Sequence, residues 1–176
     1  MILVAFHQFR RLAVGIFLCL IWLAPASAQT THAGCLLQQS AGTSRQTLVC
    51  GTVTIVVERG ARYKLSDRNS DGTADSVVLR HKALLLDAPA GAGGFEVITP
   101  QAIAAVRGTK WAVDVAGRKT SVFVVTGRVD VRRPAVGRGV VLRSGEGVDV
   151  EQGTAPLTVK RWGAPRVAAL MARFGQ

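Results

Sequence analysis

Residues 95–134 read FEVITPQAIAAVRGTKWAVDVAGRKTSVFVVTGRVDVRRP and form the densest run of β-strand pattern in this 176-residue chain. Apolar and polar residues alternate in short segments, and glycines or prolines separate these segments. That combination is typical of short strands joined by tight turns. Similar segments flank the stretch, so we predict an all-β fold of many short strands: a sandwich, a roll or a short β-helix.

The alternation also predicts which faces of these strands are buried. Trp111 and Val113 point to one side of their strand, whereas Ala112 and Asp114 point to the other. Residues 122–125, VFVV, are apolar on both faces. We therefore expect that strand to be central in its sheet and covered on both sides.

The C-terminal end changes to a helical period. Apolar residues recur at the spacing of one helix face: Val167, Leu170, Met171 and Phe174. Pro165 suits the first turn of a helix and Gly175 suits its end. We predict a short amphipathic helix that packs on an open edge or end of the β body. Four basic residues and no acid between residues 160 and 173 keep contact with an anionic surface as an alternative.

The N-terminal segment has the features of a signal peptide. Arg10 and Arg11 precede an apolar run, residues 12–23, and Ala26-Ser27-Ala28 provides small residues for cleavage after Ala28. A retained membrane anchor is the less favoured alternative, because the apolar run is short for a membrane span. We therefore expect a periplasmic or secreted chain with no membrane span after cleavage.

The expected mature chain is strongly basic. The whole chain has 22 Lys and Arg against 11 Asp and Glu, and loss of Arg10 and Arg11 leaves a formal charge of +9. Such a balance is compatible with nucleic acid, with an anionic envelope surface or with solubility alone. The bases are dispersed and aromatic residues are few, so we expect no nucleic-acid partner. An anionic envelope polymer remains a candidate.

Cys35 and Cys50 are the two cysteines of the expected mature chain. An even pair in an exported protein predicts a disulfide. Metal binding by the pair is a poor alternative, because neither a CxxC motif nor clustered histidines accompany it. We expect residues 29–47 to form an irregular arm that this disulfide pins to the β body.

Residues 66–76, SDRNSDGTADS, form a distinctive polar loop with two interpretations. Oxygen-bearing side chains at alternate positions and a glycine fit the pattern of a weak calcium site: Asp67, Asn69, Asp71 and Asp75. Val78 occupies the twelfth position, where an EF-hand has a bidentate glutamate. The favoured alternative is the tip of a β-hairpin, with Asp71-Gly72 in the turn. We predict no other cofactor.

A family resemblance rests on motifs in the central stretch. They are Thr99-Pro100, then Ala104-Ala105-Val106-Arg107-Gly108-Thr109, then Trp111-Ala112-Val113, the strand pair of residues 122–131 and the later segment of residues 142–146. This pattern resembles the core of the FecR domain, over roughly residues 95–150. We call Arg107, Gly108, Thr109 and Trp111 the signature residues, and we expect Arg107, Gly108 and Thr109 to shape a strand-to-strand bend.

The resemblance implies a β-rich module of the bacterial cell envelope. The best-known FecR-domain proteins are membrane-anchored regulators that relay a signal from an outer-membrane transporter to a cytoplasmic sigma factor. This sequence has no segment that we expect to hold a sigma factor, and we expect a stand-alone exported module. The resulting division is residues 1–28, signal peptide; 29–47, arm; 48–94, N-terminal β layer; 95–160, FecR-like core; and 161–176, helix.

No catalytic template is found in the sequence. GxSxG, HExxH and phosphate-binding GxxxxGK[ST] motifs are absent. Most of the carboxylates in the C-terminal half alternate with apolar residues, and we expect them on solvated strand faces: Asp114, Asp130, Glu146, Asp149 and Glu151. The sequence therefore predicts a non-catalytic module that binds an envelope protein or senses a signal. The alternatives are a binding module for anionic polymers or glycans and, without support, a hydrolase.

Overall fold

The computed structural model describes residues 31–39, 45–106, 108–135 and 138–176. The elements are β1 (Thr31–His32), β2 (Cys35–Gln39), β3 (Gln46–Cys50), β4 (Val53–Val57), β5 (Arg62–Ser66), β6 (Ser76–Ala88), β7 (Phe95–Ile98), β8 (Ile103–Val106), β9 (Thr109–Ala116), β10 (Lys119–Thr126), β11 (Arg128–Arg132), β12 (Val140–Arg143), β13 (Glu146–Glu151), β14 (Lys160–Arg161) and α1 (Ala164–Ala172). No described helix is long and apolar enough to cross a bilayer. The predicted signal peptide, residues 1–28, lies outside the described residues.

In the described part of the chain the strands form one curled sheet of 14 strands, so the all-β prediction is confirmed. It folds into two layers that share β6. The first layer has the order β1-β2-β3-β4-β6-β9-β10-β13-β14, and the second has the order β5-β6-β7-β8-β11-β12. The inner faces of both layers enclose the main core, which contains Trp111, Leu86 and Val124 from the first layer and Val97 and Leu142 from the second.

β6 joins the two layers because it bends in the middle. The sequence predicted two short strands, residues 77–80 and 83–87, and this prediction is wrong. The N-terminal half of the continuous strand β6 pairs with β5 and β7, and the C-terminal half pairs with β4 and β9. Arg80 is the extra residue of a β-bulge, and Lys82 adopts a φ of +65°. A bulge bends a strand without ending it, which turns one ladder into two.

β10 is covered on both sides, as its sequence predicted. Val122 and Val124 enter the main core, whereas Phe123 faces a second cluster beneath α1. That cluster lies on the outer face of the first layer, so the prediction that the helix packs on an edge or end is wrong. The outer face attracts the helix because it is itself apolar, with Ala83, Leu85, Ala112 and Phe123 buried there.

The N-terminal arm is more regular than the sequence indicated. Residues 31–39 contain β1 and β2, and β2 pairs with β3 in place of an irregular segment. Cys35 and Cys50 are directly opposite in that pairing, and the predicted disulfide joins them. Gln38 and Gln39 are exposed, because β1 pairs only with Cys35 and Leu36 and leaves this end of β2 without a described partner on that side. The strands that follow the arm, β3 and β4, form a hairpin with a turn at Gly51-Thr52.

Candidate interaction surface

Thr99 of the TP motif belongs to a buried polar network. Its amide donates to the Ala102 carbonyl at 2.8 Å, and its hydroxyl accepts from the Ala102 amide at 2.8 Å. The Thr120 hydroxyl of β10 lies 2.9 Å from Thr99 Oγ1 and 2.8 Å from Gln101 Oε1. These contacts tie the β7–β8 turn to the opposite layer. The motif therefore closes one end of the core and is structural.

The described signature residues also have structural positions. Gly108 has a φ of +70°, a conformation that other residues rarely adopt. The Thr109 hydroxyl donates to the Arg128 carbonyl at 2.8 Å and accepts from the Arg128 amide at 3.2 Å, which fastens β9 to β11. Trp111 is 0% exposed in the main core. Arg107 lies outside the described residues, so its role in the bend stays a prediction.

The polar loop of residues 66–76 joins β5 to β6, so the predicted hairpin is present. Asp67 accepts from the Gly72 amide at 2.8 Å, and Asp71 accepts from the Thr73 amide at 2.8 Å. The Asn69 side chain donates to the Asp71 carboxylate at 2.9 Å. The loop side chains thus stabilise the turn by bonding to each other and to its backbone.

Asp75 has a different environment from the other loop carboxylates. Desolvation raises its pKa, but hydrogen bonds from the Arg68 amide, the Ser76 side chain and the Arg68 guanidinium outweigh that effect and lower the pKa. Within the described residues, no group of three or more acidic, histidine or cysteine side chains is arranged to hold a metal. Calcium binding by Asp67, Asn69, Asp71 and Asp75 stays a prediction.

Two arginines of the C-terminal segment anchor the helix to the first layer. Arg173 binds Glu58 at 2.6 Å and Asp114 at 2.8 Å. Arg166 binds Asp149 at 2.5 Å. The expectation of solvated strand carboxylates is therefore wrong for Asp114 and Asp149. Each arginine is far from its carboxylate partner in the sequence, and no local pattern shows that the helix brings the two side chains together.

An aromatic stack continues this joint between helix and sheet. The Trp162 ring stacks on Phe123 with a centroid distance of 5.0 Å, and the Arg166 guanidinium lies 3.4 Å from the Trp162 ring centroid. Gly147 permits this approach, because a Cβ there would lie 2.4 Å from the indole. Only about 210 Å³ of open space remains at this joint. Both of its arginines are paired with carboxylates, so we interpret the joint as structural.

Acidification should weaken this joint through Asp149. Its desolvation raises the pKa, but hydrogen bonds from Arg166 and Ser121 outweigh this and hold the pKa below its usual value. A carboxyl with a lowered folded-state pKa stabilises the fold above its unfolded pKa of about 4, and that stability is lost as the pH falls through the folded pKa. We therefore expect the melting temperature to decrease as the pH is lowered from about 4.

The matched variants for this prediction are Asp149→Asn and Asp87→Asn. Asp87 is an exposed carboxylate of β6 with no described basic group within 4.0 Å. Thermal unfolding followed by circular dichroism should show a shallower acid dependence for Asp149→Asn than for the wild type. Asp87→Asn should follow the wild type. Parallel curves for all three proteins would contradict the assigned role of Asp149.

A groove of about 610 Å³ lies on the outer face of the second layer. Its lining residues are Arg68, Gly94, Glu96, Ala105, Val106, Arg128, Asp130 and Val141. Val141 is 53% exposed, which leaves a large apolar side chain open to solvent. Arg68 and Glu96 form an ion pair at 2.8 Å across one side. The groove therefore offers an apolar contact with charged groups around it.

One side of the groove is bounded by the edge strand β12. In the described part of the chain, β12 pairs with β11 alone. The Arg143 amide donates to Glu146 at 2.8 Å, so it does not point towards β11. The backbone groups of successive residues on an antiparallel strand point to alternate sides, so residues two apart point to the same side. The Val141 amide and carbonyl therefore also point away from β11. The Glu146 carboxylate covers part of this edge, which gives a structural role to the glutamate at the end of residues 142–146.

No pattern in the sequence predicted this groove. Of the signature residues, Gly108, Thr109 and Trp111 have structural positions and Arg107 lies outside the described residues. Asp130 was predicted only as a solvated strand carboxylate. The groove depends on β8, β11 and β12 lying side by side, and strand order is not a local property of the sequence. The one available signal was the apolar Val141 on a strand whose other apolar residues already fill the inner face.

Comparisons with known proteins place the chain in a family. A sequence model described as FecR protein matches residues 40–130. The resemblance at residues 95–150 is thus confirmed for its first part. The match also begins earlier, at residue 40 within the predicted arm, and ends before β12. We found no curated protein sequence that matches the chain.

Two solved structures have a similar fold. Both are crystal structures of a candidate anti-sigma factor from Parabacteroides distasonis. One has a TM-score of 0.57 and 19% identity, covering 73% of this chain and 60% of its own. The other has a TM-score of 0.55 and 17% identity, covering 82% of this chain and 63% of its own. This chain spans about three fifths of their length, and at this identity the likeness shows the fold alone.

The family assignment rests on the extent of the sequence match. Residues 40–130 make up more than half of the 176-residue chain and include the strands from β3 to the start of β11. The same region supplies most of the main core and the Thr99 network. This chain therefore belongs to the FecR protein family.

Proposed function

We propose that this chain is a non-catalytic module that binds a protein partner, or senses a signal through one, in the bacterial cell envelope. The single observation that carries the proposal is the groove beside β12, with Val141 exposed in its lining. An edge strand beside exposed apolar groups is a common means of protein recognition. The backbone of the edge strand forms hydrogen bonds with an extended partner segment, and a pocket receives side chains of that segment.

Two further features support this proposal. The Cys35–Cys50 disulfide fits an exported protein, because such bonds persist in oxidising compartments. The two structural neighbours are described as candidate anti-sigma factors, a name that implies binding to another protein. For this chain we propose a periplasmic or secreted location and an envelope protein as the partner, without assigning a sigma factor.

The second candidate function is binding of an anionic envelope polymer or glycan. The observation that favours it is a set of exposed cations on neighbouring strands, Arg128 and Arg132 of β11 and Arg143 of β12. Binding of this kind depends on many weak charge contacts and should fall steeply with salt. A docked protein segment also buries apolar surface, so its binding should resist salt.

Site-directed photo-crosslinking tests the proposal. A photoreactive amino acid replaces Val141, and the protein is exposed to envelope extract and illuminated. The protein is immobilised, and the complex that it forms with the extract is washed with high salt before illumination. We expect a discrete crosslinked protein that survives this wash. The readout is a shifted band on a denaturing gel, identified by mass spectrometry.

The matched control places the same photoreactive residue at Gln152, an exposed position outside the groove. A band at both positions would indicate non-specific contact and would count against the proposal. Crosslinking to polymer alone, lost at high salt, would favour the second function. Absence of any band specific to position 141 would sink the assignment of the groove as the binding site.

A further inference from the structure

Arg128 and Arg143 are directly opposite each other on β11 and β12. Both are exposed, and strand alternation puts both side chains on the outer face that contains the groove. The direction of the Arg143 amide makes this a non-hydrogen-bonded pair, in which the side chains of an antiparallel ladder come closest. No described carboxylate lies within 4.0 Å of either guanidinium.

Such a pair has an energetic consequence. Like charges directly opposite on a sheet repel each other and destabilise the pairing. Elsewhere in the described chain, Arg68, Arg166 and Arg173 each have a carboxylate partner. The Arg128–Arg143 pair lacks one, so an anion placed between the two guanidiniums would relieve the repulsion and gain charge-assisted hydrogen bonds.

We infer that Arg128 and Arg143 bind a carboxylate side chain from an extended segment of a protein partner that lies in the groove. This inference rests on the proposed protein-binding function and specifies the chemistry of the partner. The planar guanidinium fork matches a carboxylate in shape, so the pair selects an acidic residue at one position of the partner.

Val141 fixes a second position of the partner. It precedes Arg143 by two residues on the same face, about 7 Å away along the strand. An extended partner segment has the same repeat. Its acidic residue on the arginine pair therefore has an apolar residue two positions away, in contact with Val141. The groove thus recognises an acidic and an apolar side chain in alternation.

The other charges of the groove favour a protein segment over a polyanion. Asp130 is directly opposite Val141, and Glu96 lines the same groove. A polymer with a negative charge on every unit would place charges near these carboxylates and be repelled. A segment with one acidic side chain at the arginine pair meets less repulsion, because its apolar side chain lies beside Val141 and Asp130.

The test uses a phage-displayed library of random short peptides, selected on the intact chain. We expect enriched sequences with Asp or Glu and an apolar residue two positions apart. Arg128→Gln with Arg143→Gln should lower recovery of these phages by about tenfold or more, because each charge-assisted contact contributes on that scale. The matched control, Arg62→Gln with Lys64→Gln, removes two exposed charges from β5 at the opposite edge of the same layer.

The outcomes separate the inference from the proposed function. Peptides that lose binding with Val141→Asp but show no acidic preference would overturn the inference and leave the proposed function in place. Enrichment that is identical on the wild type and on Val141→Asp would contradict both. Polyglutamate that binds through the arginine pair when no peptide does would also overturn the inference and favour the polymer function.

Discussion

Replacing Trp111 with alanine should lower the free energy of unfolding by about 3–5 kcal/mol, the typical cost of removing a fully buried large aromatic side chain. Trp111 is 0% exposed, on an inner face of β9 between its neighbours β6 and β10. The surrounding residues belong to two layers that β6 joins covalently, so they have limited freedom to collapse into the cavity. Urea unfolding followed by circular dichroism measures the loss.

Two further variants separate packing from polarity at this position. The Trp111 indole N–H is buried without a described hydrogen-bond partner, a state that itself costs about 1–3 kcal/mol. Trp111→Phe removes that N–H while keeping a ring, so we expect it to cost less than half as much as Trp111→Ala. Trp162→Ala, at a half-buried tryptophan outside the main core, should cost less than Trp111→Ala. Equal losses for both alanine variants would contradict the assignment of Trp111 as the principal core residue.

The sequence predicted the faces of strands better than their connections. Trp111 and Val113 face the main core as expected, because side-chain alternation follows from the local backbone. The continuity of β6 was missed because a bulge at Arg80 and the backbone of Lys82 decide it, and neither residue type marks a bend. Register and bulges depend on the partner strand, which a local pattern does not contain.

The candidate site shows the same division. Arg128 and Arg143 are 15 positions apart in the sequence, and only the β11–β12 register places them opposite each other. Asp114 and Asp149 likewise gain their partners from a helix that docks across the sheet. By contrast, the disulfide was predictable because composition and expected compartment restrict the choice to one pair. The proposed site depends on pairings between distant residues, whereas the predicted strands and helix depend on neighbouring ones.

Removal of the disulfide by Cys35→Ser with Cys50→Ser should lower the free energy of unfolding by about 3 kcal/mol, from the loop entropy of a 15-residue separation. The bond joins β2 to β3, and in the described chain β2 is otherwise held by β3 on one side and by the two-residue β1 on the other. Most of the effect arises in the unfolded chain, because loss of the crosslink frees it.

Denaturant unfolding of the double variant, with and without a reducing agent, measures this effect. The wild type under reducing conditions should approach the double variant, and the reducing agent should leave the variant unchanged. The refolded variant should keep the groove, because β12 and β11 lie far from β2 in the strand order. A loss well below 1 kcal/mol would contradict this account, because it would mean that the unfolded chain keeps residues 35 and 50 close together without the crosslink.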